Sequence, residues 1–304
     1  MEIHQLRYFR AVARHGTFTR ASEIEHVAQP SLSKQILKLE AELGAPLFDR
    51  LPRSARLTAF GRAFLPKAER ILSELEDAKT EILEMGGEER GDVVLGVIPT
   101  IASYLLPRLL TSFSRRHRRV TVKVVEDITT ELLSRLRNGS VDVAIVALPI
   151  PGDDMSCQQL FEEGFYAVLP EEHPRARQSS IRMSELKNDP FLLLKEGHCF
   201  RDSLIAACRQ SKMTPNVVFE SGQFATILAM VSAGMGVSAV PAMAVQTMPG
   251  CQYVKIADRN GTRKIGMIRL RQHFETRAQR VLWEEIVMTC HGEGKGVERS
   301  TGRE

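Results

Sequence analysis

From residue 91 onward, the sequence alternates short apolar runs with amphipathic stretches of helical spacing, and this alternation limits the possible folds more than any other feature. Short apolar runs predict buried strands, and apolar residues three and four positions apart predict helices between them. Because parallel neighbours need a crossover connection, this alternation predicts a parallel sheet in an α/β fold. The predicted strands lie at 93–97, 120–125, 141–146, 165–169, 191–194, 217–219, 237–240 and 264–268.

The first 58 residues follow a different pattern, dominated by short helical stretches. The first stretch ends at Gly16, and Thr17-Phe18-Thr19 opens the second. A third stretch begins at Gln29 with a proline in its first turn and ends at Gly44. Short helices joined by a tight turn predict a helix-turn-helix, and the short apolar flanks of Pro52 predict a two-stranded wing.

Polar residues on the outward side of the third stretch and in the wing are the candidate DNA contacts. The N-terminal end of the second helix of such a motif enters the major groove, where glutamine, serine and lysine reach base edges and phosphates. Wing arginines would reach the DNA backbone. The alternative is a small helical module with a solvated basic face. The candidates are Gln29, Pro30, Ser31, Ser33, Lys34, Gln35, Arg50 and Arg53.

An apolar stripe follows Thr58, which is a plausible N-cap. It includes Phe60, Phe64, Ala68, Ile71, Leu72, Leu75, Ala78, Ile82 and Leu83. The helix over 59–89 has no adjacent segment to pack on, so we expect it to pair with the same helix of a second copy. The alternative is a long helix in the core of its own chain.

Composition and cysteine usage exclude several classes of protein. The 304 residues carry a net charge of +4, which is compatible with nucleic-acid binding but does not require it. No apolar run approaches the ~20 residues of a membrane span, and the N-terminus lacks a signal-peptide pattern, so we expect a cytoplasmic protein without membrane contact. The five cysteines are scattered and show no zinc spacing. We expect neither a metal ion nor a cofactor.

The segment 197–208 holds two of these cysteines around a short amphipathic run. A helix beginning near Arg201 would place Cys199 at its N-terminus, where unpaired N–H groups favour a thiolate, with His198 and Arg201 nearby. Cys208 lies nine residues on, or roughly 13 Å along a helix, whereas a disulfide needs Cα atoms within about 7 Å. Oxidation would therefore have to reorder this segment. The alternative is a pair of buried, inert cysteines.

Hydroxyl and amide side chains follow several predicted strands at the ends where α/β sheets bind ligands. Thr100 follows the first strand, Thr129 the second, and Gln223 the strand at 217–219. The segment with His198 and Cys199 follows the strand at 191–194 in the same way. These residues could converge on one cleft between two subdomains.

The N-terminal segment resembles the LysR-type transcriptional regulators. The resemblance extends to about residue 289, and its most specific part is Leu6-Arg7-Tyr8-Phe9, Gly16-Thr17-Phe18, Gln29-Pro30-Ser31-Leu32-Ser33, Leu43-Gly44, Leu47-Phe48-Asp49-Arg50 and Leu57-Thr58. It implies a winged helix-turn-helix over 1–58, a dimerising linker helix over 59–89, and a periplasmic-binding-protein-like effector domain over 90–290. Subdomain I would cover 91–161 and 265–290, subdomain II 162–264, and 291–304 would be a disordered tail. The family also implies double-stranded DNA as partner, a dimer of dimers, and contact with RNA polymerase by an activator.

Within that family, the effector segment resembles the OxyR subfamily of hydrogen-peroxide sensors. The resemblance is carried by Gly96-Val97-Ile98-Pro99-Thr100, Gly197-His198-Cys199-Phe200-Arg201-Asp202 with Cys208, and Pro241-Ala242. It implies that Cys199 reacts with peroxide and that Cys208 resolves the product into a disulfide. It also implies a peroxide pocket of Thr100, Thr129, His198 and Arg263. Phe200, Ser203 and the run at 205–207 depart from the subfamily pattern.

Two other functions fit parts of the sequence. A small organic effector could occupy the cleft, with Thr100, Thr129 and Gln223 holding a carboxylate and the cysteines incidental. An enzyme such as a thiol peroxidase is disfavoured, because the chain has neither a Cys-x-x-Cys motif nor a Ser/His/Asp constellation. We therefore expect a regulator and not an enzyme.

Overall fold

The computed structural model describes residues 1–51, 54–84, 90–271 and 275–291. It divides into two compact units. The first contains the described residues up to 84 together with Ser134–Val141, and the second contains the other described residues from 90 onward. The predicted tail and the end of the predicted linker helix lie outside the described residues, as do Pro52 and Arg53.

The first unit begins with three helices, α1 (Ile3–His15), α2 (Phe18–Ile24) and α3 (Gln29–Leu43). The turns between them follow the sequence signals. Gly16 and Gly44 end α1 and α3 at φ angles of +71° and +69°, which glycine adopts without strain. The Thr17 side chain accepts a hydrogen bond from the Arg20 N–H and so caps α2. The core between the helices contains Leu6, Phe9, Val12, Leu32, Ile36 and Leu39.

A small antiparallel hairpin and a long helix complete this unit. Strands β1 (Phe48–Leu51) and β2 (Ser54–Leu57) form the predicted wing, and α4 (Ala59–Glu84) follows with a length of about 39 Å. The Thr58 hydroxyl accepts a hydrogen bond from the Gly61 N–H, as expected of an N-cap. One part of the α4 stripe packs on the core of its own chain, at Phe64, Ala68 and Leu72. Another part is exposed, at Phe60, Ile71 and Ile82.

The second unit is built on an eight-stranded sheet flanked by helices. Its strands are β3 (Gly91–Val97), β4 (Val120–Glu126), β5 (Val143–Leu148), β6 (Met155–Pro170), β7 (Ser180–Ile181), β10 (Ser238–Pro241), β11 (Cys251–Ile256) and β12 (Thr262–Leu270). They are ordered β4-β3-β5-β12-β6-β11-β7 across the sheet, with β10 also paired to β6. A separate parallel pair is formed by β8 (Pro190–Leu194) and β9 (Asn216–Ser221). The helices are α5 (Pro99–Arg116), α6 (Thr129–Arg137), α7 (Cys199–Gln210), α8 (Phe224–Ser232) and α9 (Arg277–His291).

The expectation of a parallel sheet is only partly correct. Strand β3 is parallel to β4 and β5, with α5 and α6 as crossovers. Strands β11 and β12, however, run back in succession along β6 in the antiparallel direction. This return needs no crossover helix, so the helix–strand alternation did not reveal it. No helix in the described part of the chain is long and apolar enough to cross a membrane.

Candidate functional site

Helix α7 begins at Cys199 itself, two residues before the expected start at Arg201. His198 is the N-cap residue, with extended backbone dihedrals, and the Ser203 hydroxyl donates a hydrogen bond of 2.9 Å to the Cys199 carbonyl. The same helix contains Cys208, and both thiols are free. Because the helix is intact between them, the two sulfur atoms are too far apart to bond.

Four predicted site residues line one narrow cleft, which we call the cysteine cleft. They are Thr100 in the first turn of α5, Thr129 at the start of α6, His198 and Cys199, and the remaining lining residues are Ile98, Pro99, Ile128 and Gly197. These residues pack so closely against one another that the space between them has no room for a drug-sized ligand.

The cleft forms because three strand ends meet there. Strands β3 and β4 are parallel neighbours, and the helices that follow them begin with Thr100 and Thr129 in their first turns at the same edge of the sheet. The loop after β8 carries Gly197, whose φ of +92° turns the chain into α7. A Cβ at this position would make only an ordinary contact of 3.4 Å with the Ile128 side chain, so the positive φ and not the space is what favours glycine.

Arg263, the fifth predicted residue, lies within β12 and behind Thr100. Its Nη1 donates a hydrogen bond of 2.8 Å to the Thr100 hydroxyl oxygen, and its Nη2 donates one of 3.2 Å to the Thr100 carbonyl. Its guanidinium also lies 5.3 Å from the centre of the Phe200 ring. The arginine is buried and is paired with the carboxylate of Glu163. It therefore acts on the cleft through Thr100.

The thiol of Cys199 is subject to opposing influences. Burial raises its pKa above the ordinary value, whereas the positive charge of Arg263 and a hydrogen bond from the Thr100 side chain act to lower it. The helix N-terminus was expected to favour a thiolate, but the loss of water around the sulfur leaves the pKa of Cys199 above its ordinary value. Arg201 contributes nothing here, since its guanidinium binds the Leu194 carbonyl and Glu220.

Two polar atoms at the cysteine cleft have no hydrogen-bond partner among the residues that the structure describes. They are the Thr129 hydroxyl oxygen and Nδ1 of His198, and both are buried. Burial lowers the pKa of His198, which therefore stays neutral at physiological pH and offers one donor and one acceptor. Buried polar atoms are normally paired, so these two are available to a small ligand with hydroxyl groups.

Cys208 lies at the other end of α7 in the interior of the unit, fully buried. Burial, and next the negative charge of Asp258, raise the pKa of this thiol to about 11. Asp258 also holds the end of the helix, because its carboxylate accepts hydrogen bonds from the Ser211 hydroxyl (2.6 Å) and the Met183 N–H (2.8 Å). In the intact helix, Cys208 is therefore protonated and inaccessible.

The candidate DNA contacts lie mostly on the first turns of α3. Gln29, Pro30, Ser31 and Lys34 are exposed, and Ser33 and Gln35 are partly buried. The Gln35 carbonyl oxygen accepts a hydrogen bond of 3.1 Å from Gln5 inside the unit, so the expectation that Gln35 points outward is only partly correct. Arg50 lies on β1.

Two residues of the second unit that contribute to the site were not anticipated from the sequence. Glu163 pairs with Arg263, and Asp258 holds the end of α7. The pairing of an inward-facing acid on one strand with an arginine on another would have been the only signal for Glu163. Gln223, considered as a ligand for an organic effector, begins α8 and does not line the cysteine cleft. No group of acidic, histidine or cysteine side chains within the described ranges could hold a metal ion.

Comparison with known protein families agrees with this architecture. Residues 3–62 match the bacterial regulatory helix-turn-helix protein of the lysR family, and residues 86–290 match the LysR substrate binding domain. The chain belongs to the LysR family of transcriptional regulators.

Individual relatives are consistent with the proposed subfamily. The chain is 31% identical over 289 residues to the DNA-binding transcriptional dual regulator OxyR of Escherichia coli, covering 92% of this chain and 95% of that one. It is 34% identical over 245 residues to the hydrogen peroxide-inducible genes activator of Dickeya chrysanthemi, covering 81% and 80%. Among solved structures, full-length OxyR C199D from Pseudomonas aeruginosa superimposes with a TM-score of 0.78 at 30% identity, covering 96% and 95%.

Proposed function

We propose that this regulator senses hydrogen peroxide through Cys199 and Cys208. The observation that carries the proposal is the cysteine cleft, which places a thiol beside a hydroxyl bound by a buried arginine and beside two unpaired polar atoms. The close packing of its lining disfavours an organic carboxylate, which would need a wider opening than a peroxide. The similarity to proteins named as hydrogen peroxide-inducible activators supports the same function.

The chemistry would proceed in two balanced steps. The Cys199 thiolate attacks one oxygen of the peroxide, the O–O bond breaks, and the departing hydroxide takes up the thiol proton as water, leaving a sulfenic acid. The Cys208 thiolate then attacks the sulfenic sulfur, the S–S bond forms as the S–O bond breaks, and the departing hydroxide takes up the Cys208 thiol proton and leaves as a second water. Arg263 and Thr100 stabilise the negative charge, and Thr129 and His198 orient the peroxide.

The second step requires α7 to open, because the intact helix separates the two cysteines. The opened segment would change the packing of the second unit and then the spacing of the winged helices on DNA. This reaction consumes one peroxide per dithiol without turnover, so we propose a sensor and not a thiol peroxidase.

The assembly and surroundings follow from the family. We propose a winged helix-turn-helix over 1–58, a dimerising helix over 59–89 and an effector domain over 90–290, with the exposed stripe of α4 as the dimer contact. A dimer of dimers would bind double-stranded DNA in the cytoplasm and, as an activator, contact RNA polymerase.

The test is to count thiols in the reduced protein before and after one equivalent of hydrogen peroxide and to map the peptides by mass spectrometry. We expect a rapid loss of two thiols and a linked peptide joining Cys199 to Cys208. If all five thiols remain unchanged, the sensor proposal is wrong and a small-effector regulator becomes the better reading.

A further inference from the structure

Glu163 and Arg263 form an ion pair in the interior of the second unit. The two residues face each other across β6 and β12, and their side chains are 6% and 1% exposed. Nε and Nη2 of Arg263 lie 2.8 and 2.7 Å from Oε1 of Glu163. The other carboxylate oxygen accepts a hydrogen bond of 3.0 Å from the Met243 N–H. Because a buried charge needs a partner, Glu163 determines where the guanidinium of Arg263 lies.

The opposite side of the guanidinium faces Thr100. The Thr100 hydroxyl oxygen accepts a hydrogen bond from Arg263, so its own proton is free to be donated to the Cys199 sulfur. The four residues Glu163, Arg263, Thr100 and Cys199 thus form one connected chain, which we call the relay. Only its last two members line the cysteine cleft.

We propose that Glu163 is a positioning residue that sets the reactivity of Cys199 through Arg263 and Thr100. It has two effects on the relay. Its carboxylate holds the guanidinium against Thr100, and its negative charge offsets part of the positive charge that the Cys199 sulfur experiences. The inference rests on the proposed peroxide chemistry at Cys199, but its test does not depend on peroxide.

The substitution Glu163→Gln separates the two effects. Glutamine retains a carbonyl oxygen that can accept the hydrogen bonds from Arg263, but it carries no charge. Its NH2 group cannot accept the hydrogen bond that the Met243 N–H donates to the second carboxylate oxygen. The guanidinium then stays at Thr100 with its charge uncompensated, and the Cys199 thiolate becomes easier to form. We expect alkylation of Cys199 by iodoacetamide at pH 7 to accelerate by about fivefold. The plateau at high pH should be unchanged.

The experiment measures the pH–rate profile of Cys199 alkylation in the reduced full-length protein by peptide mass mapping. The matched control is Glu162→Gln, because Glu162 is the next residue on the same strand and is exposed, with its carboxylate bound to the Thr262 hydroxyl. A profile for Glu163→Gln displaced to lower pH, with Glu162→Gln superimposed on the unaltered protein, supports the proposal. A Glu163→Gln profile that is unchanged or displaced to higher pH overturns it.

A second variant covers the case in which Glu163→Gln does not fold. In Arg263→Lys, a single ammonium group cannot contact Glu163 and Thr100 with the geometry of the guanidinium fork, so it stays with the carboxylate and releases Thr100. Cys199 alkylation at pH 7 should then slow severalfold, and an unchanged rate overturns the relay.

The outcomes also separate this inference from the proposed function. If peroxide oxidises no thiol but the alkylation profile of Glu163→Gln is displaced as expected, the relay stands and peroxide sensing is wrong. If peroxide produces the disulfide and the profile is not displaced, peroxide sensing stands and the role of Glu163 is wrong.

Discussion

At the residue scale, the reactivity of Cys199 depends on two neighbours, Arg263 and Thr100. They stabilise the sulfur only when it carries negative charge. Burial keeps the thiol protonated, and Arg263 and the Thr100 hydroxyl offset that effect. A half-buried, protonated thiol such as that of Cys199 reacts slowly with bulky oxidants and reagents. A peroxide that enters the cysteine cleft meets the polar atoms of Thr129 and His198, which have no other partner. Selectivity would therefore come from the cleft and not from an ionised thiol.

Removal of the Thr100 hydroxyl tests this arrangement. Thr100→Val keeps the side-chain shape but eliminates the donor to Cys199 and the acceptor for Arg263. We expect the rate of Cys199 oxidation by peroxide to fall by about 10- to 100-fold, the range for loss of a preorganised donor. Stopped-flow thiol loss gives this rate. The control is Thr111→Val, an exposed position on the same helix α5, and equal rates for both variants would contradict the role of Thr100.

The Cys208 thiol links stability to alkaline pH. Its pKa is about 11 in the folded protein against an ordinary value of 9, so the folded state disfavours the thiolate. The contribution of the Cys208 thiol to the free energy of unfolding is fully present below pH 9 and is lost as the pH rises from about 9 to 11. We expect a loss of up to about 3 kcal/mol in the free energy of unfolding from this group.

Denaturant unfolding at a series of pH values from 7 to 11 measures the effect. Cys208→Ala leaves a cavity in the core, so its free energy of unfolding at pH 7 should be lower than that of the unaltered protein. Above pH 9, however, this free energy should fall less steeply. Parallel curves for the two proteins would show that Cys208 does not carry the linkage.

At the element scale, polar contacts hold both ends of α7 in place, and these contacts oppose disulfide formation. At its start, Arg201 binds the Leu194 carbonyl and Glu220. At its end, Ser211 donates a hydrogen bond to one carboxylate oxygen of Asp258. The other oxygen accepts a hydrogen bond from the Met183 N–H. Since the two cysteines meet only when the helix opens, the contacts at the Cys208 end should control the second chemical step and not the first.

Ser211→Ala tests this separation. Loss of one hydrogen bond of 2.6 Å to Asp258 should lower the cost of local opening by about 1 kcal/mol. We expect the disulfide to form about fivefold faster after peroxide addition, with the rate of sulfenic acid formation unchanged, as followed by a sulfenic-acid trap. Ser232→Ala is the control, because Ser232 ends α8 and donates only to the Pro249 carbonyl. The idea fails if both steps change together.

The sequence predicted local elements more reliably than long-range pairing. The bounds of α3 and the glycine stops of α1 and α3 were predicted, because capping and helical spacing act over a few residues. The antiparallel return of β12 along β6 was missed, since register over 100 residues leaves no local signal. The cluster at the cysteine cleft was predicted from strand ends, whereas Glu163 was not, because its role depends on that same long-range register.

At the scale of the whole molecule, the surface of α4 fits a protein that works as an assembly. Phe60, Ile71 and Ile82 are 59%, 42% and 71% exposed, whereas another part of the same apolar stripe packs on its own chain. Such a row of large apolar side chains is costly in water and is relieved by pairing with a second copy. An assembled regulator can convert a change at α7 into altered spacing of its DNA-binding units, which a single copy cannot do.

A footprinting experiment tests that conversion. Cys199→Ser removes the reactive sulfur but leaves the exposed residues of α3, so we expect its affinity for operator DNA to equal that of the reduced unaltered protein. Peroxide should change the protected DNA region for the unaltered protein and leave it the same for Cys199→Ser. Cys157→Ser is the matched control, because Cys157 is an exposed thiol on β6 outside the cysteine cleft, and it should respond like the unaltered protein. A Cys199→Ser protein whose footprint still changes with peroxide would show that another group carries the signal.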